Sequence, residues 1–354
     1  MSNSLWEKPV DRLEGARLLG RVEPGERPLR LRWSASGVKL RIRCTALYVQ
    51  LEAGYTDHAP WAAVLMDGAL IARFPLERGL HWYAALLGMD ANEAHDISIV
   101  RDTQPVSEDS QMRVALHALR SDGEVLPCPP PAMTVEFIGD SLTTGEGLAG
   151  PTGAMEWRMA FLSASATYAQ TVCNLLRAEG RFIAMGGWGV YSAWDGNRDH
   201  RIPLVYDRLC AVEQDGGRPN DFAAQRADLI VVNLGTNDAN VVRNAPAGQR
   251  PALRREIGRA AVMFLQQIRA CQPDAHILWA YGLCEHSLSP TLRGAVDMAR
   301  ALGDTRVHYL SLPAMRAGEF GSREHPGAIA HRRAAEAIVR KWREIQAAEE
   351  NKNI

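Results

Sequence analysis

The chain has 354 residues, of which 46% are hydrophobic and 23% charged, and its formal net charge is -1. This is ordinary globular composition, and so small a net charge provides no field for gathering nucleic acid or an anionic membrane, so neither is expected as a partner. The length exceeds what one hydrophobic core usually organises, and two domains are expected.

The N-terminal segment Met1–Val10 has no apolar stretch of signal-peptide length, and no later run approaches the roughly 20 residues that span a bilayer. A soluble protein is expected. It is cytoplasmic if Met1 is the genuine start and secreted if a signal has been removed. Up to about Leu126 the periodicity is that of strands, as in residues 29–33, 38–44 and 47–51, where apolar and polar residues alternate. One face of each strand is then buried and the other wet. Turn signals at Ser36-Gly37, Asp67-Gly68 and Asp122-Gly123 break these runs, which predicts an antiparallel β-sandwich of jelly-roll type over residues 1–130. The prolines within residues 126–133 cannot join a sheet ladder, and they mark the boundary to a second domain over 131–354.

Beyond that boundary strand-like runs at 134–138, 181–185, 227–234, 275–281 and 306–312 alternate with helical stripes. Tyr168, Val172, Leu175 and Leu176 form one stripe; Leu253, Ile257, Ala260, Phe264 and Ile268 another; Ala335, Ile338, Trp342 and Ile345 a third. Such alternation predicts an α/β fold, a mostly parallel sheet with crossover helices on both faces. The long connections 146–165 and 190–226 carry Trp157, Trp188, Tyr191 and Trp194. The tail from Ala347 to Ile354 is charged and expected to fray. The six cysteines are irregularly spaced without a Cys-x-x-Cys, so neither a metal site nor a redox motif is suggested, and they read as small core residues.

Chemistry concentrates where the apolar runs of the second domain end. The first closes on Gly139-Asp140-Ser141-Leu142, the second on Gly186-Gly187-Trp188-Gly189, the third on Gly235-Thr236-Asn237-Asp238, and His325-Pro326 follows the last. In an open parallel sheet the reactive crevice lies beyond the carboxyl ends of the strands. A serine hydroxyl there can attack, a histidine can take its proton, and a glycine N–H with an asparagine amide can bind an oxyanion. Each has a plainer reading: Ser141 as a helix N-cap, Gly187 as a turn, Asn237 as a brace, and Asp140 and Asp238 as acceptors of backbone N–H bonds. No Gly-x-Ser-x-Gly elbow is present, so the α/β-hydrolase arrangement is not supported.

The order Gly-Asp-Ser, Gly, Asn, His resembles the SGNH (GDSL-type) hydrolases. The stretches Phe137–Gly145, Gly187–Tyr191, Asn233–Asp238 and His325-Pro326, with Val64–Gly68 in the first domain, resemble the carbohydrate esterase family 2 acetyl esterases. The resemblance implies a three-layer, flavodoxin-like catalytic domain behind a β-sandwich. It also implies a serine esterase that needs no cofactor and no metal, with Ser141 as nucleophile, His325 as base, and Gly187 and Asn237 in the oxyanion hole. The substrate it implies is an O-acetylated sugar, with Trp157, Trp188, Tyr191 and Trp194 as stacking faces; core packing is the alternative for these rings. A lipid or aryl esterase, a noncatalytic sugar-binding protein and an enzyme that passes its acetyl group to another alcohol are the rival readings. Nothing in the sequence fixes the oligomeric state, and a homo-oligomer fits it as well as a monomer.

Two departures from the family pattern stand out: Gly186 replaces the serine usual before Gly187, and the third triad member is missing. An aspartate is usual three residues before the histidine, and here that place is Ser322. Either a backbone carbonyl orients His325 in a Ser-His dyad, or Ser322, Glu324 or a distant acid takes the role. His331 reads either as a solvated residue of a first helical turn or as a partner behind His325.

Overall fold

The structure is a computed structural model and describes residues 5–212 and 217–351. The described residues fall into two compact units: Met1–Pro131 joined by Arg158–Ser165 and Arg208–Asn220, and Ala132–Trp157 with Ala166–Asp207 and Asp221–Ile354. The first crossing lies at 131/132, but two later segments return to the first unit, so one boundary does not describe the chain.

The first unit holds two antiparallel sheets. One orders Trp6–Pro9, Arg113–Ser121, Ala46–Gly54 and Gly79–Leu87; the other orders Glu124–Leu126, Gly37–Arg43, His95–Arg101, Trp61–Met66 and Ala69–Pro75. Their alternate residues, among them Val38, Leu40, Val49, Leu51, Ile97 and Leu116, fill one shared core. The predicted strand at 29–33 is shorter than expected, only Leu29–Arg30 pairing with Arg113–Ser121. Polar anchors bind the two later segments to this unit. Buried Asp102 accepts from Arg73 Nε at 2.5 Å and from the Ser165 N–H at 2.8 Å, while Arg73 also donates to the Leu162 carbonyl. The buried Trp33 indole donates to the Leu209 carbonyl at 2.9 Å.

The second unit is built on five parallel strands, β1 (Thr134–Gly139), β2 (Glu179–Ala184), β3 (Leu229–Asn233), β4 (His276–Tyr281) and β5 (Val307–Ser311), in the order β2-β1-β3-β4-β5. Val135, Phe137, Val231, Val232, Ile277 and Leu278 are fully buried, as strands covered on both faces require. Helices complete the outer layers: α1 (Ser141–Thr144), α2 (Tyr168–Leu176), α3 (Thr236–Asn244), α4 (Arg250–Cys271), α5 (Ser289–Ala301) and α6 (Ala328–Glu350). α2 packs with α6, and α4 with α3 and α5. The α/β class and the sandwich are as the sequence predicts.

Two helices escaped the pattern reading. α3 is short and polar, and α5 buries only Leu292, Ala295, Val296 and Ala299, a stripe too rich in alanine to stand out. The tail expected to fray from Ala347 is helical to Glu350, because Trp342 and Ile345 keep α6 packed; residues 352–354, like the N-terminal 1–4, lie outside the described residues. No described helix is long and apolar enough to cross a membrane.

Candidate active site

β1 is the centre of the site because the strand order reverses beside it, and the connections leaving β1 and β3 therefore part to opposite faces. Gly139 at the end of β1 pairs in register with Ala184 of β2 and Asn233 of β3. Ser141, Gly187 and Asn237 follow those three residues closely along the chain, so all three emerge on one edge. Asp140 caps α1, its Oδ1 accepting the Leu142 N–H at 3.0 Å, and this leaves Ser141 as the first residue of the turn. The cap is therefore Asp140, not Ser141, and the serine hydroxyl is free of that duty.

Ser141 Oγ lies 3.0 Å from His325 Nε2. The other ring nitrogen, Nδ1, lies 2.9 Å from the Arg323 carbonyl oxygen. A carbonyl accepts only, so this contact assigns the proton to Nδ1 and leaves Nε2 to accept from the serine. Arg323 and Glu324 both sit in the left-handed region, at φ 54° and 56°, which turns the carbonyl back onto the ring. For non-glycine residues such a conformation costs on the order of 1 to 2 kcal/mol each, strain of the kind kept at functional sites.

Neither side chain singled out as an orienting group reaches His325. Ser322 is fully buried, its Oγ without a hydrogen-bond partner among the described residues, and Glu324 is exposed. His331 is also not solvated. It is buried, its Nδ1 accepts the Tyr168 N–H at 3.0 Å, and its ring stacks on Tyr168 at 6.0 Å. Burial, with the nearby His325 adding to it, pushes its pKa down to about 3, so it stays neutral and braces α6 against α2.

On the opposite side of Ser141, Gly187 is held at φ 80°, and neither its N–H nor that of Ser141 has an acceptor among the described residues. The Asn237 amide donates to the Trp188 carbonyl at 3.0 Å and more distantly, at 3.3 Å, to Asp140 Oδ2. Its second hydrogen is therefore only weakly engaged. Asp238 accepts the N–H groups of Val190, Tyr191 and Ser192 at 3.0, 2.8 and 3.1 Å and so straps the glycine-rich loop to α3. Burial raises the Asp238 pKa and the three N–H bonds oppose that rise. Burial also pushes the Asp140 carboxyl up, to about 7; the Leu142 N–H opposes it, while Asp238 and Glu146 add to it.

Comparison with known proteins shows the family and the fold. The sequence pattern of the GDSL-like lipase/acylhydrolase family matches residues 137–348, more than half of the chain. The chain belongs to that family. The cellulase/esterase CelE of Acetivibrio thermocellus is 25% identical over 318 residues, which cover 87% of this chain but 36% of that protein, so the chain spans little more than a third of its length. An acetyl xylan esterase, Est2A, from Butyrivibrio proteoclasticus superposes with a TM-score of 0.92 at 28% identity, over 97% of this chain and 99% of that one. A family two carbohydrate esterase from Clostridium thermocellum, solved with cellohexaose, superposes with a TM-score of 0.81 at 22% identity, over 94% of this chain and 99% of that one. This GDSL-like chain thus has the two-part architecture of family 2 carbohydrate esterases.

The four aromatics of the connecting loops are not equivalent in this family member. Trp188 is buried and stacked on His200 at 5.1 Å, so the expectation of an open ring face fails there: the indole is spent on holding the loop. Arg198 covers one face of Tyr191 at 4.4 Å. Trp157 is half-buried. Trp194 is 60% exposed, and a Cβ built on Gly187 would stand 3.0 Å from its ring, which places this open indole beside the glycine. Sequence reading also passed over Glu146, a buried carboxylate 3.9 Å from His325 Nε2. Its only signal was an acid between two glycines shortly after the serine. Among the described residues no group of His, Cys, Asp and Glu is arranged to hold a metal ion.

Proposed function

We propose that the chain is a serine esterase that removes small acyl groups, acetyl foremost, from O-acylated carbohydrates. The observation that carries this reading is the Ser141–His325 contact of 3.0 Å, with the far ring nitrogen occupied by the Arg323 carbonyl. His325 Nε2 takes the Ser141 proton as Oγ attacks the ester carbonyl carbon. The tetrahedral oxyanion is held by the N–H groups of Ser141 and Gly187 and by the Asn237 amide, whose weak contact to Asp140 yields to the stronger negative charge. The imidazolium then protonates the departing sugar hydroxyl. In deacylation the same nitrogen takes a proton from water, hydroxide adds to the acyl carbon, and acetate leaves as Ser141 regains its proton.

The likeness to an acetyl xylan esterase along nearly the whole chain supports the acetyl-sugar substrate. The exposed indole of Trp194 beside Gly187 supports it independently, since a flat ring next to an oxyanion donor suits the apolar face of a sugar better than a flexible acyl chain. Of the four rings, Trp194 is the proposed sugar contact.

The test is acetate release from a panel of acetylated sugars and polysaccharides, set beside nitrophenyl esters of increasing acyl length. Acetate release and a steep fall in kcat/KM beyond the shortest acyl groups are expected. Faster turnover of long acyl esters with no acetate from any glycan would replace this reading with a lipid esterase. Asn237→Ala is expected to lower kcat by about 100-fold, the usual scale for loss of one oxyanion donor, with KM little changed. An unchanged kcat would reduce Asn237 to a brace between the Trp188 and Asp140 loops.

A further inference from the structure

Glu146 is a buried ionisable group beside His325 that the steps above leave without a task. Its side chain is 8% exposed, and Oε1 has no hydrogen-bond partner among the described residues. That oxygen lies 3.2 Å from Arg323 Nε, outside hydrogen-bond alignment, and 3.9 Å from His325 Nε2, the nitrogen that faces Ser141. A carboxylate buried with so little hydrogen bonding is costly, so its placement calls for a reason.

The backbone around it is built for close approach. The Glu146 N–H donates to the Ser141 carbonyl at 3.0 Å, and the Ser322 N–H donates to the Gly147 carbonyl at 3.0 Å. Gly147 has φ 85°, and a Cβ there would stand 2.6 Å from the Ser322 carbonyl oxygen and 2.8 Å from His325 Cβ. Only glycine lets the segment after Ser141 lie against the His325 loop, and that contact fixes the carboxylate beside the ring.

We propose that Glu146 is a positioning residue that supplies the counter-charge to the His325 imidazolium from the Nε2 side. In a Ser-His-Asp triad an aspartate at Nδ1 fills that role; here Nδ1 faces a carbonyl, which orients the ring but carries no net charge. When the serine proton reaches Nε2, positive charge appears 3.9 Å from Oε1, and no proton moves to Glu146. Arg323 links the two sides, its carbonyl facing Nδ1 and its guanidinium pairing with the carboxylate. Beyond Arg323 and Glu146, the titratable group that interacts with the His325 ring is His331 on α6, which is buried and stays neutral. This role rests on the acyl-transfer reading of Ser141 and His325.

The test compares wild type, Glu146→Gln, Arg323→Gln and the double variant for kcat, KM and the pH dependence of kcat/KM, with Ser141→Ala as the blank. A nearby carboxylate favours the charged form of an imidazole, and Glu146→Gln removes that support. The acid limb is therefore expected to move down by about one pH unit, and kcat to fall at least about tenfold, with KM nearly unchanged. If Glu146 serves only to neutralise Arg323, the double variant regains the wild-type kcat and acid limb, and the proposal is overturned; if it acts on the imidazolium, the double variant stays slow. Should Glu146→Gln fail to fold, Glu146→Asp decides: drawing the charge back by one methylene is expected to cost several-fold in kcat, and a wild-type profile overturns the role. A Ser141→Ala protein that still releases acetate would sink the acyl-transfer reading itself, whereas a dead Ser141→Ala beside an unaltered Glu146→Gln removes only the role of Glu146.

Discussion

Alanine at Ser141 or at His325 is expected to lower kcat/KM for nitrophenyl acetate by about 10⁴-fold or more, while Ser322→Ala and Glu324→Ala each stay within about threefold of wild type. Each large loss follows from one contact. Without Oγ there is no acyl-enzyme, and without Nε2 nothing accepts the serine proton at neutral pH. The small losses follow from the His325 loop. Nδ1 faces the Arg323 carbonyl, so the Ser322 hydroxyl and the exposed Glu324 have nothing to add to its orientation. Both alanine proteins keep the backbone that makes the turn, since an alanine at φ 56° is no more strained than the glutamate it replaces. A loss of several hundredfold in Glu324→Ala would return the orienting role to that carboxylate.

Asp238→Ala is the second substitution expected to be severe, and it acts on stability and turnover together. The carboxylate is buried, and it is the acceptor for three consecutive N–H groups, those of Val190, Tyr191 and Ser192. Leaving buried donors without acceptors costs about 1 to 3 kcal/mol each, so a loss of at least about 3 kcal/mol in urea unfolding is expected. The same N–H groups hold the loop that begins at Gly187, and kcat is expected to fall by about 100-fold as that donor loses its place. Asp238→Asn, which keeps one acceptor oxygen in a side chain of the same shape, should fall between. An unchanged urea midpoint with wild-type kcat would mean the loop is held by other contacts, Trp188 on His200 foremost.

The sheet and its order of reactive residues were legible because fully buried parallel strands leave unbroken apolar runs, and Ser141, Gly187 and Asn237 each close one of them. His325 was legible from its neighbours rather than from periodicity. What the sequence withheld depends on backbone direction. Nothing in Gly321-Ser322-Arg323-Glu324 signals two consecutive left-handed residues, so the choice between a carbonyl and an acid at Nδ1 stayed open until the turn was seen. Glu146 was silent for a related reason, since its place beside the imidazole comes from the close backbone approach at Gly147 and not from any spacing motif. Trp188 and Trp194 read alike in sequence, and only their packing separates a buried brace from an open indole.

The chain's two returns to its first unit, at Arg158–Ser165 and Arg208–Asn220, bear on how such an enzyme can be dissected. Met159, Leu162, Leu209 and Cys210 in those returns are all buried. A fragment excised at residue 131 would carry both excursions stripped of their partners, with oily side chains and stranded carbonyls turned to water. Shuffling this fold by a single cut would yield sticky halves rather than two modules.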